Sequence, residues 1–447
     1  MKTPVFDFLN EYKGKAPHRF HMPGHKGTGQ ELCEELDITE IQGADSLFEA
    51  TGVIFESEKC ASEIFGAHTF YSTEGSSLSI RAMLYLVALD AREKGKKPLV
   101  LAARNAHKSF ISAATLIDFD IEWIYPEKSS SYLSSSIDAE WLKARLTSGK
   151  EHPTALYITS PDYLGNIENV RLLADICHEN GVLLLVDNAH GAYLKFLKLS
   201  LHPIDLGADM CCDSAHKTLH ALTGGAYLHI SRKLSQSFSE RAKAAMSLFA
   251  STSPSYLVLS SLDLLNARLG KYEDALASFI PKLSALKKKL SDLGYSFIGD
   301  EPLKLTVCAK KRGYYGYELG ELLERENIYP EFYDRDYLVL MMTPYNSDDS
   351  LKALAKALEA IESKPEINES APKFFAPVAK FSPRDASFLP FERLSVENAL
   401  GRVLALTSVS CPPAVPILVP GEIIDGMALR AFEYYGIKDC LVLKQEG

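Results

Sequence analysis

Six short, apolar, β-branched runs lie between Pro98 and Ile230, with amphipathic stretches before and between them. No other feature of the 447-residue chain constrains its fold as tightly. The runs are Pro98–Ala102, Ile121–Tyr125, Ala155–Thr159, Leu183–Val186, Met210–Asp213 and Ala226–Ile230. The stretches Ser77–Lys94, Ser109–Asp118, Asp138–Leu146 and Val170–Asn180 carry apolar residues at helical spacing. Asn180-Gly181 is a helix stop immediately ahead of the Leu183 run. Strands that alternate with helices bury both faces of a mainly parallel sheet. The expected fold class is α/β, a large domain with a mainly parallel, helix-covered sheet.

The large domain is expected over residues 51–290, behind an N-terminal arm at 1–50, and a long helical pattern, Tyr272–Leu293, closes it. A smaller C-terminal α+β domain is expected over 291–365. It has strand patterns at Lys304–Cys308 and Tyr337–Met342 and helical patterns at Tyr317–Glu326 and Asp348–Ile361. Residues 366–382 are polar, contain proline and read as a linker. A tail region, 383–447, then resumes with a helical pattern at Val396–Leu404. The serine run Ser129–Ser136 reads as a surface loop.

Composition excludes more than it identifies. Hydrophobic residues make up 46% and charged residues 24%, as in an ordinary globular protein. No segment approaches the roughly 18 apolar residues of a membrane span. Met1–Lys13 holds Asp7 and Glu11 and lacks a signal-peptide run, so a soluble, cytoplasmic protein is expected. A formal charge of −10 argues against nucleic acid or an anionic membrane as partner. The eight cysteines form no C-x-x-C pair and read as buried free thiols in a reducing compartment.

Two segments carry the chemistry. VDNAH (Val186–His190) ends an apolar run with an aspartate, and DSAHK (Asp213–Lys217) follows the next run and ends in a lysine. Strand ends of this kind line the ligand crevice of an open parallel sheet. Alone, Asp187 reads as a turn or cap residue and Lys217 as a surface charge. Together, in this order, they supply what pyridoxal 5′-phosphate (PLP) requires: an amine to form an imine and a carboxylate to hold a proton on the pyridine nitrogen.

A phosphate site should accompany them. STEGSS (Ser72–Ser77) is a small-residue loop leading into a helix, so Gly75, Ser76 and Ser77 offer backbone N–H groups and hydroxyls, and otherwise a plain helix cap. Ser214 and His216 can add donors from the other side. His107, in RNAHKS after the Pro98 run, can stack on the ring or be an ordinary loop histidine. His21 and His25 are four apart in HMPGHK, but Pro23-Gly24 excludes a helix between them. No metal site is expected.

These motifs, with SPDYLGNIENV (Ser160–Val170), VDNAHGAYLKF (Val186–Phe196), DSAHKTLHALTGGAYLH (Asp213–His229), TSPSYLVLSSLD (Thr252–Asp263) and PPAVPILVPGE (Pro412–Glu422), resemble the Orn/Lys/Arg decarboxylases over nearly the whole chain. The form resembled is the short bacterial one, which lacks an N-terminal wing domain. The resemblance implies the aspartate-aminotransferase-like fold (PLP fold type I) and loss of the α-carboxylate from lysine, arginine or ornithine, giving CO2 and a diamine or agmatine. It implies that Lys217 is the Schiff-base lysine, that Asp187 pairs with the pyridinium nitrogen, and that His107 stacks on the ring. Ala189 and His190 would lie on the cofactor's other face or beside the substrate. Gly75, Ser76, Ser77, Ser214 and His216 would bind phosphate, with Thr252 from a second subunit of a homodimer or higher homo-oligomer. His21, His25 and Glu422 would lie near the substrate entrance.

Three positions depart from the family pattern. Asn188 stands where Glu is frequent, Glu74 where Asn is usual, and Thr223-Gly224-Gly225 where Thr-Gln is typical. An acidic Glu74 is unfavourable near phosphate unless it points away. Two other readings follow: another fold type I activity, an aminotransferase or β-lyase, or a non-catalytic PLP-binding paralogue.

Overall fold

The computed structural model describes residues 2–445 except 17, 18, 20, 21, 24, 25, 27, 29–31, 127–130, 374, 408, 409, 412 and 413, and only the backbone of 410 and 411. Its larger sheet is built from β1 (Ala67–Ser72), β2 (Leu99–Ala103), β3 (Asp120–Ile124), β4 (Ala155–Thr159), β5 (Leu183–Asp187), β6 (Met210–Asp213) and β7 (Ala226–Ser231). The order is β1-β7-β6-β5-β4-β2-β3. β2 pairs with β3, and β5 with β6, in parallel, while β7 runs antiparallel to β1 and β6. The sheet is thus mixed and mostly parallel, the α/β class expected.

Local chemistry explains the elements. The helix Val170–Glu179 starts where the Asn169 side chain accepts the Leu172 N–H at 3.2 Å. It stops at Asn180-Gly181, where Gly181 takes a left-handed φ of 66° that suits glycine. β5 follows at once, buried from Leu184 to Asp187. Its last residue therefore reaches the strand end inside the protein.

The chain forms two compact units. The first comprises Met1–Pro98, Thr154–Tyr157 and Asn169–Ala275. Its helix Ser76–Glu93 buries Leu78, Ile80, Met83, Leu84, Leu86 and Val87, packing on β6, β7 and the helix Gln236–Ser247. The second comprises Leu99–Pro153, Ile158–Glu168 and Leu276–Gly447. It holds a four-stranded sheet in which β8 (Phe297–Ile298), β9 (Lys304–Cys308), β10 (Phe332–Tyr333) and β11 (Tyr337–Met341) run in the order β10-β11-β9-β8. A cluster including Leu133, Phe332, Leu418, Ile424 and Phe432 forms its core.

Three expectations are corrected. Val396–Leu404 is only a short 3-10 turn at Val396–Asn398, and Gly401 then takes φ 75°. The described part of the serine run is a loop but not a surface one. Tyr132 and Leu133 are buried, and Tyr132 packs edge-on against Phe375 and Tyr435. The serines flanking them instead cap and bond: Ser131 Oγ accepts the Leu133 N–H, and Ser134 Oγ accepts from Asn166 Nδ2. Finally, Cys33 is an exposed thiol, unlike the buried Cys177, Cys211, Cys212 and Cys440. No helix among the described residues is long and apolar enough to cross a membrane.

Candidate active site

Asp187 closes β5 and is almost fully buried. Three donors hold its carboxylate: the Ala189 N–H (3.2 Å) and Cys212 S–H (3.5 Å) on Oδ1, and the Tyr157 hydroxyl (3.2 Å) on Oδ2. Tyr157 lies on β4 and Cys212 on β6, so the strands flanking β5 fix the acid in place. Burial and the adjacent Asp187 push the Tyr157 phenol well up, so it stays a donor.

Lys217 sits in the helical turn Ala215–Thr218 directly after β6. Its Nζ lies 2.8 Å from His190 Nε2, and His190 follows Asp187 by three residues. The two motifs therefore meet: Asp187, Ala189, His190 and Lys217 belong to one unit and one end of adjacent parallel strands. Neither the Tyr157 and Cys212 props nor the His190–Lys217 contact was legible in the sequence. Alternation along a strand shows which residues share a face, but not which neighbour a face meets.

The segment Ser72–Ser77, expected to bind phosphate, leads into a helix start. Gly75 precedes the helix Ser76–Glu93 with φ 71°, and no side chain caps that helix. Ser214 Oγ donates to Ser76 Oγ at 2.9 Å, bringing the lysine segment to the helix start. The Gly75 N–H bonds Gly224 O at 2.8 Å. At Gly224, with φ +97°, a Cβ would lie 2.7 Å from Thr73 O, which gives the glycine at that position a steric reason. The Glu74 carboxylate accepts the Ser251 N–H at 2.7 Å, which engages its charge there. His216 Nδ1 meets Gly225 O at 3.0 Å. Thr252, next to Ser251, is exposed.

Asn188, which departs from the family pattern, is held by a buried partner. Its Nδ2 donates to Asp213 Oδ1 at 2.6 Å, while His202 and His229 approach Asp213 Oδ2 at 3.1 and 3.2 Å. A glutamate at 188 would set two carboxylates together in a dry interior. Burial works to raise the Asp213 carboxyl, but the two imidazoles outweigh it and hold it below the ordinary carboxylate range. His202, Cys211 and Asp213 also bring donor atoms within 4.8 Å of one another, but the imidazole contacts already account for Asp213.

The depressed Asp213 carboxyl has a consequence for acid stability. Between the unfolded value near 3.8 and its lower folded value, the folded state binds fewer protons than the unfolded chain. Its stabilisation is complete above that window and is lost as pH falls through it. Asp213→Asn is expected to lower stability at neutral pH and to flatten the loss below pH about 4. Chemical unfolding of both proteins from pH 7 to 2.5 measures this; parallel curves would refute it.

In the second unit, His107 caps the helix Lys108–Ile117, its Nδ1 accepting the Ser109 N–H at 3.1 Å. Glu422 is buried against Arg104, with Oε2 at 3.2 Å from Nη2 and accepting the Val419 N–H at 2.7 Å. His21 and His25 lie outside the described residues.

A buried aspartate and a lysine at neighbouring strand ends, with an uncapped helix N-terminus beside a serine cluster, suit a phosphorylated pyridine aldehyde. Fold and site together define a PLP enzyme of fold type I. A family model for the Orn/Lys/Arg decarboxylase major domain matches residues 3–298. The chain is 30% identical to the arginine decarboxylase of Bacillus subtilis, covering 95% of this chain and 91% of that one. The same figures hold for the arginine decarboxylase of Halalkalibacterium halodurans. Among solved structures, lysine decarboxylase A of Pseudomonas aeruginosa matches with a TM-score of 0.81 at 17% identity, covering 99% of this chain and 80% of that one. The chain belongs to the Orn/Lys/Arg decarboxylase family and is a PLP-dependent decarboxylase of basic amino acids.

Proposed function

We propose that the substrate is arginine, converted to CO2 and agmatine, and that Lys217 and Asp187 carry the reaction. The likeness to arginine decarboxylases along nearly the full chain carries the choice of substrate. The curated match to lysine decarboxylase LdcA of Pseudomonas aeruginosa covers only 60% of this chain and 40% of that one. When bound, PLP supplies an aldehyde carbon for an amine and a ring that accepts the electron pair left as CO2 departs.

The chain's own residues do the rest. Lys217 would hold the cofactor, and its amine is the group the substrate amine would replace. His190, 2.8 Å from Lys217 Nζ, takes or returns the proton as that amine changes state. Asp187, braced by Tyr157, Cys212 and the Ala189 N–H, holds the proton on the pyridine nitrogen. Gly75, Ser76, Ser77, Ser214 and His216 hold the phosphate. Lys217 or His190 returns a proton to Cα after CO2 leaves. The family resemblance adds His107 to the ring and Thr252 from a second subunit of a homodimer to the phosphate.

Purified protein loaded with PLP is expected to release CO2 from arginine at least about ten-fold faster, in kcat/KM, than from lysine or ornithine. Agmatine identified by mass spectrometry would accompany it. Preference for lysine or ornithine would reject arginine as substrate.

A further inference from the structure

A cavity of about 350 Å³ in the second unit is walled by side chains that the decarboxylation does not use. Asp162 fixes one carboxyl in its wall, which burial raises above the ordinary carboxylate value while the Asn166 and Ser134 bonds and the Lys304 charge pull it back. Its Oδ1 accepts the Leu164 and Asn166 N–H groups, each at 2.9 Å, and its Oδ2 accepts Asn166 Nδ2 at 2.8 Å. The nearby Lys304 ammonium is paired with Glu301 at 2.7 Å and donates to the Asp162 carbonyl at 3.2 Å, and its charge also acts on the Asp162 carboxyl.

Glu168 is held more loosely. Its carboxylate takes the Ile137 N–H at 3.2 Å and makes no other hydrogen bond among the described residues. Burial raises its carboxyl, the Ile137 N–H offsets part of this, and the Asp162 charge adds to it, leaving it at about 7. Such a group gains most from an incoming cation.

The hydroxyls point the same way. Ser135 is only 5% exposed and its Oγ has no hydrogen-bond partner; Thr159 Oγ1, also in the wall, is equally unsatisfied. Both hydroxyls therefore keep capacity for a partner inside the cavity. No Lys, Arg or His lines the cavity among the described residues. The wall therefore offers hydroxyl and carboxyl oxygens with no cationic side chain among the described lining residues, a setting in which an incoming cation would draw the Glu168 proton off. Its complement is a group rich in N–H donors and positively charged. The volume lies in the range of small-molecule sites.

We infer that this cavity binds a small organic cation bearing a guanidinium or primary ammonium group, with Glu168 as its counter-ion and Ser135 and Thr159 as acceptors. The inference goes beyond the proposed reaction and does not depend on which amino acid is decarboxylated. A basic amino acid, its amine product and an unrelated polyamine share the head-group chemistry.

Calorimetric titration of the PLP-loaded full chain with agmatine, putrescine and arginine, with the visible cofactor band recorded alongside, tests it. The expected result is putrescine binding that leaves the band unchanged, while arginine, which as the proposed substrate also acts at Lys217 and changes the band, shows an additional binding event in the titration. Glu168→Gln should weaken the putrescine binding by about ten-fold or more, and Ser135→Ala by less. Gln matches the neutral form that burial already favours, so that variant is expected to fold, and Ser135→Ala gives an independent reading. Agmatine and putrescine binding without arginine would place an amine there; binding of all three would mean the head group suffices. Binding that always perturbs the band, or that neither substitution changes, overturns the inference.

Discussion

Lys217→Ala is expected to lower decarboxylation by at least about a thousand-fold and to remove the visible band of lysine-held PLP. No other described amine is placed as Lys217 is, immediately after β6 and 2.8 Å from the His190 ring. In the proposed role, removing it deletes both the covalent anchor and a proton carrier for Cα. The serine cluster and Asp187 remain, so the variant should still take up PLP without forming the band. Equilibrium dialysis separates this from simple loss of the cofactor. Absorbance from 300 to 500 nm, with CO2 followed in parallel, gives the result. A variant that keeps its band and its CO2 release would reject Lys217 as the anchor. A wild-type protein with a band but no CO2 from any basic amino acid would reject the proposed roles further upstream.

The strands and helices that alternate were legible because each is decided locally. Ala155–Thr159 and Met210–Asp213 are strands with the expected bounds, and Val170–Glu179 ends one residue short of its expected stop. β1 has no such signal. AHTFYS mixes polar and apolar residues, and it is held by pairing with β7, a partner more than 150 residues away. Val396–Leu404 shows the converse: its apolar spacing suits a helix, yet its last residues join isolated bridges to Ile423 and Val442. Tertiary pairing overrode local pattern there.

The candidate site and its surroundings divide in the same way. Asp187, His190 and Lys217 stand in short contiguous motifs, so the sequence exposes them. Tyr157, Cys212, His202 and His229 act through register and burial, which no motif records. The departures at Glu74, Asn188 and Gly224 have no evident reason in the sequence alone. With Ser251, Asp213 and Thr73 beside them, each has a partner or a steric reason.

Arg104→Ala is expected to destabilise the second unit by about 3–5 kcal/mol, the usual cost of stranding a buried charge. Arg104 is 2% exposed and donates Nη1 to Pro416 O and Nη2 to Ile417 O, each at 2.9 Å, as well as pairing with Glu422. Its guanidinium also lies 5.0 Å from the Trp123 ring centroid. One side chain thus ties the end of β2 to the segment Val415–Glu422. Alanine leaves Glu422 buried without its counter-charge and two carbonyls without donors. Burial already raises the Glu422 carboxyl, with Arg104 pulling against it. The stranded acid would therefore retain a proton rather than a charge, which keeps the loss near the lower bound. Glu422→Gln should cost less than Arg104→Ala, because an amide can still accept from Arg104. Hydrogen exchange at Val415–Glu422, with urea unfolding of the second unit, measures both. Equal protection in wild type and Arg104→Ala would mean that packing of Ile417 and Leu418, not the ion pair, holds the segment in place.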